Sequence, residues 1–182
     1  MNLHIRPATT ADIPALEELI RESVSVLSAE FYTSGQIASA LSHVFGVDTQ
    51  LIADGTYFVA EIDGELAGSG GWSKRATLFG GNQSKDDRVD RLLDPADEAG
   101  RIRAFYVHPR WSRRGVGSRI LKACEGAARL AGFSRIELVA TLPGEPLYTA
   151  KGYKKAEAMR IETPDGESLP AFRMTKALTS HR

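Results

Sequence analysis

Cysteine is nearly absent from this sequence: 182 residues contain one, Cys124. A lone thiol excludes an internal disulfide framework, so the fold must be held by its core. An excess of either charge is missing too, since 23 Lys and Arg balance 23 Asp and Glu. That balance removes the electrostatic footprint of a nucleic-acid or anionic-membrane binder, and neither partner is expected. No apolar run approaches the ~20 residues of a membrane span, and "MNLHIRPATTADIPA" lacks the apolar centre of a secretion signal, so a cytoplasmic protein is expected. Four scattered histidines and one cysteine offer no metal-ligand spacing, and no metal is expected. What is present, 42% hydrophobic and 25% charged residues, suffices for one substantial core in a single domain over residues 1–182.

A short strand in "LHIRP" opens the chain. Thr9-Thr10-Ala11-Asp12 then matches a helix-capping signal, with Pro14 tolerable in the first turn. Ile13, Leu16, Ile20, Val24 and Leu27 recur every three or four residues, which makes one helical face apolar. Ile37, Leu41 and Val44 predict a second, shorter helix. After Gly55, "TYFVAEIDGELAGSGGWS" is two strand-like runs around Asp63-Gly64, residues that tolerate the positive φ of a tight hairpin turn. Residues 74–100 are polar and aperiodic, a long loop holding at most a short element around Val89 to Leu93.

"RIRAFYVHP" reads as a strand stopped by Pro109. In the helix that follows, Ile120, Cys124, Ala127 and Ala131 share a face, Glu125 and Arg129 form an i,i+4 pair, and Gly132 suits the position past the end. "RIELVA" is the next strand, "GEPLYTAKG" a short helix, and two closing strands flank Pro164-Asp165-Gly166. The order is βααβββαβαββ, a mixed α/β (α+β) domain in which residues 101–140 should form a right-handed parallel crossover.

The turn "HPRWSRRGVGS" carries the chemistry. A helix starting near Gly115 leaves its first N–H groups without intrahelical partners and concentrates partial positive charge there. Gly115 and Gly117 remove side chains where a ligand needs close approach, while Arg113, Arg114 and Arg119 add formal charge, so phosphate is the natural guest. The alternative is a purely structural strand-to-helix turn with Ser112 or Ser118 capping. A P-loop is excluded because no Gly-Lys-Ser/Thr is present, and G-x-G-x-x-G fails because position 120 is Ile.

The strand ending in Val-x-Pro, the basic G-x-G turn and the amphipathic helix resemble the GNAT superfamily of acetyl-CoA-dependent N-acetyltransferases. The family's phosphate loop has the form Gln/Arg-x-x-Gly-x-Gly/Ala; here Ser112 stands at the first position, leaving Arg113 and Arg114 as donors. The resemblance implies a mixed central sheet of six to seven strands flanked by about four helices, with the Val107 strand and residues 136–140 splayed apart. It implies acetyl-CoA as cosubstrate, held by Phe105, Tyr106, Val107, Arg113, Arg114, Gly115, Val116, Gly117 and Ser118. A backbone N–H near Tyr106 or Val107 would polarise the thioester carbonyl.

"LYTAKGY" resembles the family's Tyr-x-x-x-Gly-Phe/Tyr pattern, which makes Tyr148 the candidate acid or sulfur anchor. Glu98 is the candidate base, with Glu61 and Asp97 as alternatives. His108 reads as a surface or capping residue, and Cys124 as core. The first helices and the loops after the hairpin should meet the amine acceptor, with Tyr32, Trp72 and Phe79, besides Phe31 and Leu78, either lining that site or closing the core. The activity implied is direct acetyl transfer to a primary amine of a small molecule or protein. A non-catalytic acyl-CoA sensor is the alternative, and the closing strands offer an edge for a homodimer.

Overall fold

The computed structural model describes residues 1–84 and 90–179. Seven strands form one sheet in the order β1-β2-β3-β4-β5-β7-β6. β1 (Leu3–Pro7), β2 (Tyr57–Ile62), β3 (Glu65–Ser73) and β4 (Gly100–Val107) are successively antiparallel, and β4 pairs in parallel with β5 (Arg135–Thr141). β7 (Ser168–Ala177) lies between β5 and β6 (Lys154–Glu162), antiparallel to both. Helices α1 (Ile13–Leu27), α2 (Ser34–His43) and α3 (Thr49–Ala53) precede β2. α4 (Val116–Leu130) joins β4 to β5, and α5 (Glu145–Ala150) joins β5 to β6.

Local chemistry explains the elements. The Asp12 carboxylate accepts from the Thr9 N–H at 2.8 Å and opens a single 3-10 turn, from which α1 continues with Pro14 in its first turn. Asp63 and Gly64 have φ of 52° and 84°, the paired positive values of a two-residue hairpin turn, and they fix the register Ile62↔Glu65. Gly132, at φ 97°, ends α4 as expected.

The sheet is covered on both faces. On one, Ile120, Leu121 and Cys124 of α4 pack with Ile102, Ile136 and Leu138; on the other, Leu16, Leu19 and Ile20 of α1 pack with Tyr57 and Val59. Each fully buried Leu or Ile contributes roughly 1.5–3 kcal/mol of burial. A third cluster joins Ala40 of α2, and Val44 just past its end, to Ile161, Leu169 and Ala171 of the last two strands.

Several expectations change. α3 was not legible: its five residues are too few for a period to register, and it forms because Asp48 caps it, accepting from the Gln50 N–H at 3.0 Å. The inner face of α4 includes Leu121 and Ala128 besides Ile120, Cys124 and the partly buried Ala127, whereas Ala131, just past the helix, is exposed. Glu125 does not pair with Arg129; it takes hydrogen bonds from Tyr153 at 2.9 Å and Lys176 at 2.9 Å, while Arg129 donates to the Thr179 carbonyl. In the loop before β4, residues 85–89 of the expected element and of its neighbourhood lie outside the described residues. Its remainder bridges Arg75 to Leu92. β6 is one edge of the sheet and β1 the other, and on β6 Lys154, Lys155, Glu157, Arg160 and Glu162 are exposed.

Candidate active site

β4 and β5 meet only at Gly100↔Ile136 and Arg101↔Glu137. Beyond that point no pair joins them, so the strands part toward Val107 and Thr141. A bulge contributes: Ser69 pairs with Tyr106 but Gly71 with Arg103, and Ala104 takes φ of 52°. An alanine in the left-handed region costs roughly 1 kcal/mol, and the surrounding ladder holds it there. Gly70 lies against the bulge, where a Cβ would clash with the Phe105 ring. The His108 N–H goes to the Ala67 carbonyl at 2.9 Å, and strand neighbours alternate, so the Val107 backbone groups point away from β3 into the gap.

The turn into α4 stands at the open end of this gap. Arg113 has φ of 59° and Gly115, the residue before the helix, φ of 82°. Alternation of left- and right-handed residues turns successive N–H groups the same way and makes an anion-binding concavity. Among the described residues, the backbone N–H groups of residues 113–118 have no acceptor. Ser112 does not cap α4; its own N–H closes the preceding turn on the Pro109 carbonyl. A Cβ on Gly115 would meet nothing within 4 Å, whereas one on Gly117 would stand 2.9 Å from Leu147 and 3.6 Å from Phe105 and Val107. Gly117 is therefore where the helix approaches both sides of the gap. The Arg114 guanidinium lies over the Trp111 ring, 5.4 Å from its centroid. A cleft of about 330 Å³ continues along α4 toward α5, with Arg119, Lys122, Lys151 and the Lys176–Glu125 ion pair on its walls. The donors, the charge and the open backbone all fit a pyrophosphate.

Tyr148 of α5 is buried, edge-on to Phe105 at 6.0 Å and to Tyr153 at 5.7 Å. Burial pushes its hydroxyl above the ordinary phenol range, and among the described residues that hydroxyl has no hydrogen-bond partner. It remains protonated, a donor at neutral pH.

The model of the acetyltransferase (GNAT) family matches residues 18–153, which include the hairpin, the gap, the turn into α4 and Tyr148. The chain belongs to this family. GNAT enzymes are acetyltransferases that take acetyl-CoA as cosubstrate, and this chain has their splayed seven-stranded sheet. Among solved structures, a GCN5-related N-acetyltransferase from Rhodopseudomonas palustris is similar at 21% identity and a TM-score of 0.71, covering 97% of this chain and 96% of that one. The PaiA N-acetyltransferase of Thermoplasma acidophilum, solved with coenzyme A, has 17% identity, a TM-score of 0.66, and coverage of 97% and 99%. YncA of Salmonella typhimurium, a putative acetyltransferase solved with acetyl-CoA, has 19% identity, a TM-score of 0.64, and coverage of 98% and 95%.

Within this GNAT fold the expected site residues separate. Phe105, Tyr106 and Val107 lie on the bulged arm and Arg113, Arg114, Gly115, Val116, Gly117 and Ser118 on the turn, with Tyr148 across from Phe105. Glu98 is not brought there. It precedes Gly100, at the closed end, and the eight residues of β4 put about 23 Å between that end and Val107. Arg91, bonded at 2.6 Å, and the Asp94 N–H hold its carboxyl well below the carboxylate range, at about 2. Glu61 is tied to Arg6 at 2.8 Å on the outer strands.

His108 is a capping residue: its Nδ1 accepts from the Arg110 N–H at 3.1 Å, leaving Nε2–H for Glu22 at 2.6 Å. Burial raises the Cys124 thiol, which belongs to the core. Among the described residues no group of three or more His, Cys, Asp or Glu could hold a metal, and no helix is long and apolar enough to cross a membrane.

The aromatic candidates all take part in core packing, and Tyr32 also lines a groove between α1 and α2. Trp72 packs edge-on to Phe133 at 5.9 Å on the α4 face, because alternation along β3 turns it away from α1. Phe79 packs into the α2 cluster. The Tyr32 hydroxyl donates to the Pro170 carbonyl at 2.6 Å and accepts from the Leu142 N–H at 2.9 Å, bridging the ends of β5 and β7. Two residues had no sequence signal: Arg103, buried against Asp48 at 2.9 Å beside the bulge, and Glu137 at the point where the arms meet.

Proposed function

We propose that this enzyme passes acetyl from acetyl-CoA to a primary amine by direct attack at the open end of the β4–β5 gap. One observation carries the reading: the run of unpartnered N–H groups at residues 113–118 beside a strand edge that lacks its partner. Those donors hold the pyrophosphate, with Arg113 and Arg114 adding charge. Arg119, Lys122 and Lys151 extend the positive surface for the remaining phosphate.

Acetyl-CoA, when bound, supplies an activated thioester carbonyl. The Val107 edge offers backbone partners to an extended amide chain, and a fixed N–H there polarises the carbonyl, worth roughly 3 kcal/mol in favourable cases. A neutral amine forms the C–N bond, the C–S bond breaks with its electron pair on sulfur, and the surplus amine proton passes to solvent. Tyr148 donates a hydrogen bond to that sulfur. A phenol raised above its usual ~10 holds its proton more tightly than a thiol near ~8.5, so Tyr148 stabilises the leaving group without surrendering the proton.

Coenzyme A is expected to raise the melting temperature in a concentration-dependent way. Acetyl-CoA mixed with a panel of amines is expected to release free thiol only when an acceptor is present. Protection without acceptor-dependent release from any amine overturns catalysis in favour of an acyl-CoA sensor; absence of protection overturns the site.

A further inference from the structure

Side chains along a strand alternate between the two faces of its sheet, and at one point of β4 they do not. Ile102, Phe105 and Val107 pack with the α4 cluster, Ala104 and Tyr106 with the α1 cluster. Arg103 reaches Asp48 at the start of α3, so Arg103 and Ala104 lie in succession on the same face. This is the extra residue of the bulge: Gly71 pairs with Arg103 and Ser69 with Tyr106, which leaves Ala104 and Phe105 together opposite Gly70. Every residue beyond it, Val107 included, is turned over relative to an unbroken ladder.

Residues 45–48 straddle that point. Just before the bulge the Arg103 side chain, 1% exposed, pairs with the fully buried Asp48 carboxylate at 2.9 Å; just after it the Tyr106 ring meets Phe45 edge-on at 6.4 Å. The segment is itself fixed by the loop before β4. The Gly81 N–H donates to the Val44 carbonyl at 2.7 Å, the Asn82 N–H to the Val47 carbonyl at 3.0 Å, and Gln83 Nε2 to the Phe45 carbonyl at 2.6 Å. From the same loop the Gly80 carbonyl accepts from Arg103.

Stability alone does not call for a charge here, because a well-packed apolar side chain of similar volume avoids the loss of hydration that a buried ion pair suffers. What the pair adds is direction. A guanidinium held by Asp48 and by Gly80 fixes where its own Cα stands along the strand, and Ala104, left-handed at φ 52°, follows immediately. A slip of one residue would relieve Ala104 and turn Val107 over.

We propose that the Arg103–Asp48 pair is a positioning device for acetyl transfer: it holds the β4 bulge in register, and the bulge aims the Val107 N–H at the thioester carbonyl. The proposal rests on the acetyltransferase reading above and adds the residues that set its backbone donor. Both act through the strand, not by contact with acetyl-CoA.

The test is the infrared band of acetyl-CoA labelled with carbon-13 at the thioester carbonyl and bound at saturation, since a hydrogen bond to that oxygen lowers its stretching frequency. Wild type is expected to displace the band below that of free acetyl-CoA. Arg103→Met combined with Asp48→Asn removes both charges, so neither is left buried alone, and Asn still caps α3. This double variant is expected to keep a cooperative thermal transition and a coenzyme A affinity within threefold of wild type by calorimetry, and to lose at least half of the displacement. The control is Arg75→Met with Asp54→Asn, an ion pair of 2.7 Å between the ends of β3 and α3, which should keep the displacement in full. Arg103→Lys serves if the double variant does not fold: a single ammonium lacks the fork that reaches Asp48 and Gly80 together, and at least a third of the displacement should go. A full displacement in the folded double variant, or in Arg103→Lys where that variant does not fold, overturns the positioning role and leaves acetyl transfer standing. An equal loss in the control, or loss of coenzyme A binding in the double variant, overturns it as well. Coenzyme A binding with no displacement in wild type overturns the polarised carbonyl, and the positioning role with it.

Discussion

Glu137 on β5 receives the guanidinium of Arg101 on β4 at the last rung the two strands share, and with its other oxygen it receives Arg173 of β7 at 3.2 Å. One carboxylate thus fastens three strands at the apex of the gap. Neutralising that carboxylate leaves the partly buried Arg101 without its counter-charge, while Arg173 keeps Glu157 at 3.5 Å.

Glu137→Gln is expected to lower unfolding stability by about 2 kcal/mol, read from urea denaturation, and to weaken coenzyme A binding several-fold by loosening the apex. The turnover number at saturating acetyl-CoA should change less than the affinity. Unchanged affinity alongside lost stability would reduce the contact to a fold fastening with no part in setting the gap.

Gly117→Glu is expected to abolish protection by coenzyme A against thermal unfolding. Its Cβ alone crowds Leu147 at 2.9 Å, and its carboxylate enters the concavity of N–H groups as a competing anion. Gly126→Ala is the control, since a Cβ there meets nothing within 4 Å and the helix gains about 0.5–1 kcal/mol. Coenzyme A should protect that variant as it protects wild type.

Tyr148→Phe keeps both ring contacts and removes a hydroxyl that has no partner among the described residues. Melting temperature should be unchanged within error. The turnover number is expected to fall at least tenfold, with a smaller change in KM for acetyl-CoA, in steady-state thiol release. A wild-type turnover number would remove Tyr148 from the reaction.

Asp12 governs an acid limb of stability. Two bonds from Arg6, at 2.8 and 2.9 Å, hold its carboxyl down at about 2, below the ordinary carboxylate value of ~3.9. A depressed folded value means the contribution is full above that ordinary value and is lost as pH falls through about 2. Asp12→Asn is expected to cost roughly 1 kcal/mol at neutral pH and to flatten the loss of stability between about pH 4 and pH 2. Denaturation midpoints across that window measure it.

What the chain discloses in advance is what depends on neighbouring residues. Asp63-Gly64 announces its hairpin because both positions need positive φ, and Gly115-Val116-Gly117 announces the open turn into α4 because small residues and local charge are encoded within a few positions. Ala104 gives no such sign: alanine has no preference for the left-handed region, and only the ladder with β3 forces it there. Arg103 and Asp48 are far apart in sequence, so nothing local pairs them. The aromatic residues were legible as large and apolar, but the face each would occupy was not. Trp72 turns toward α4 and Tyr32 spends its hydroxyl on β5 and β7, both decided by sheet alternation and by how the first helices cross it. Glu98 sits close to β4 in sequence yet at its far end in space, a distinction that requires knowing where β5 leaves β4.

The parting of β4 from β5 gives this sheet an interior edge. Most sheets end their ladders at the rim, but here unfinished rungs open onto a slot in the middle of the molecule. An extended amide chain in that slot, as proposed for the cosubstrate, would complete the ladder as an added strand does, and cosubstrate and scaffold would then share one network. By mass action, a ligand at a hundredfold excess over its Kd adds about 2.7 kcal/mol of stability. Amide exchange at Val107 is the most direct reporter of that completion.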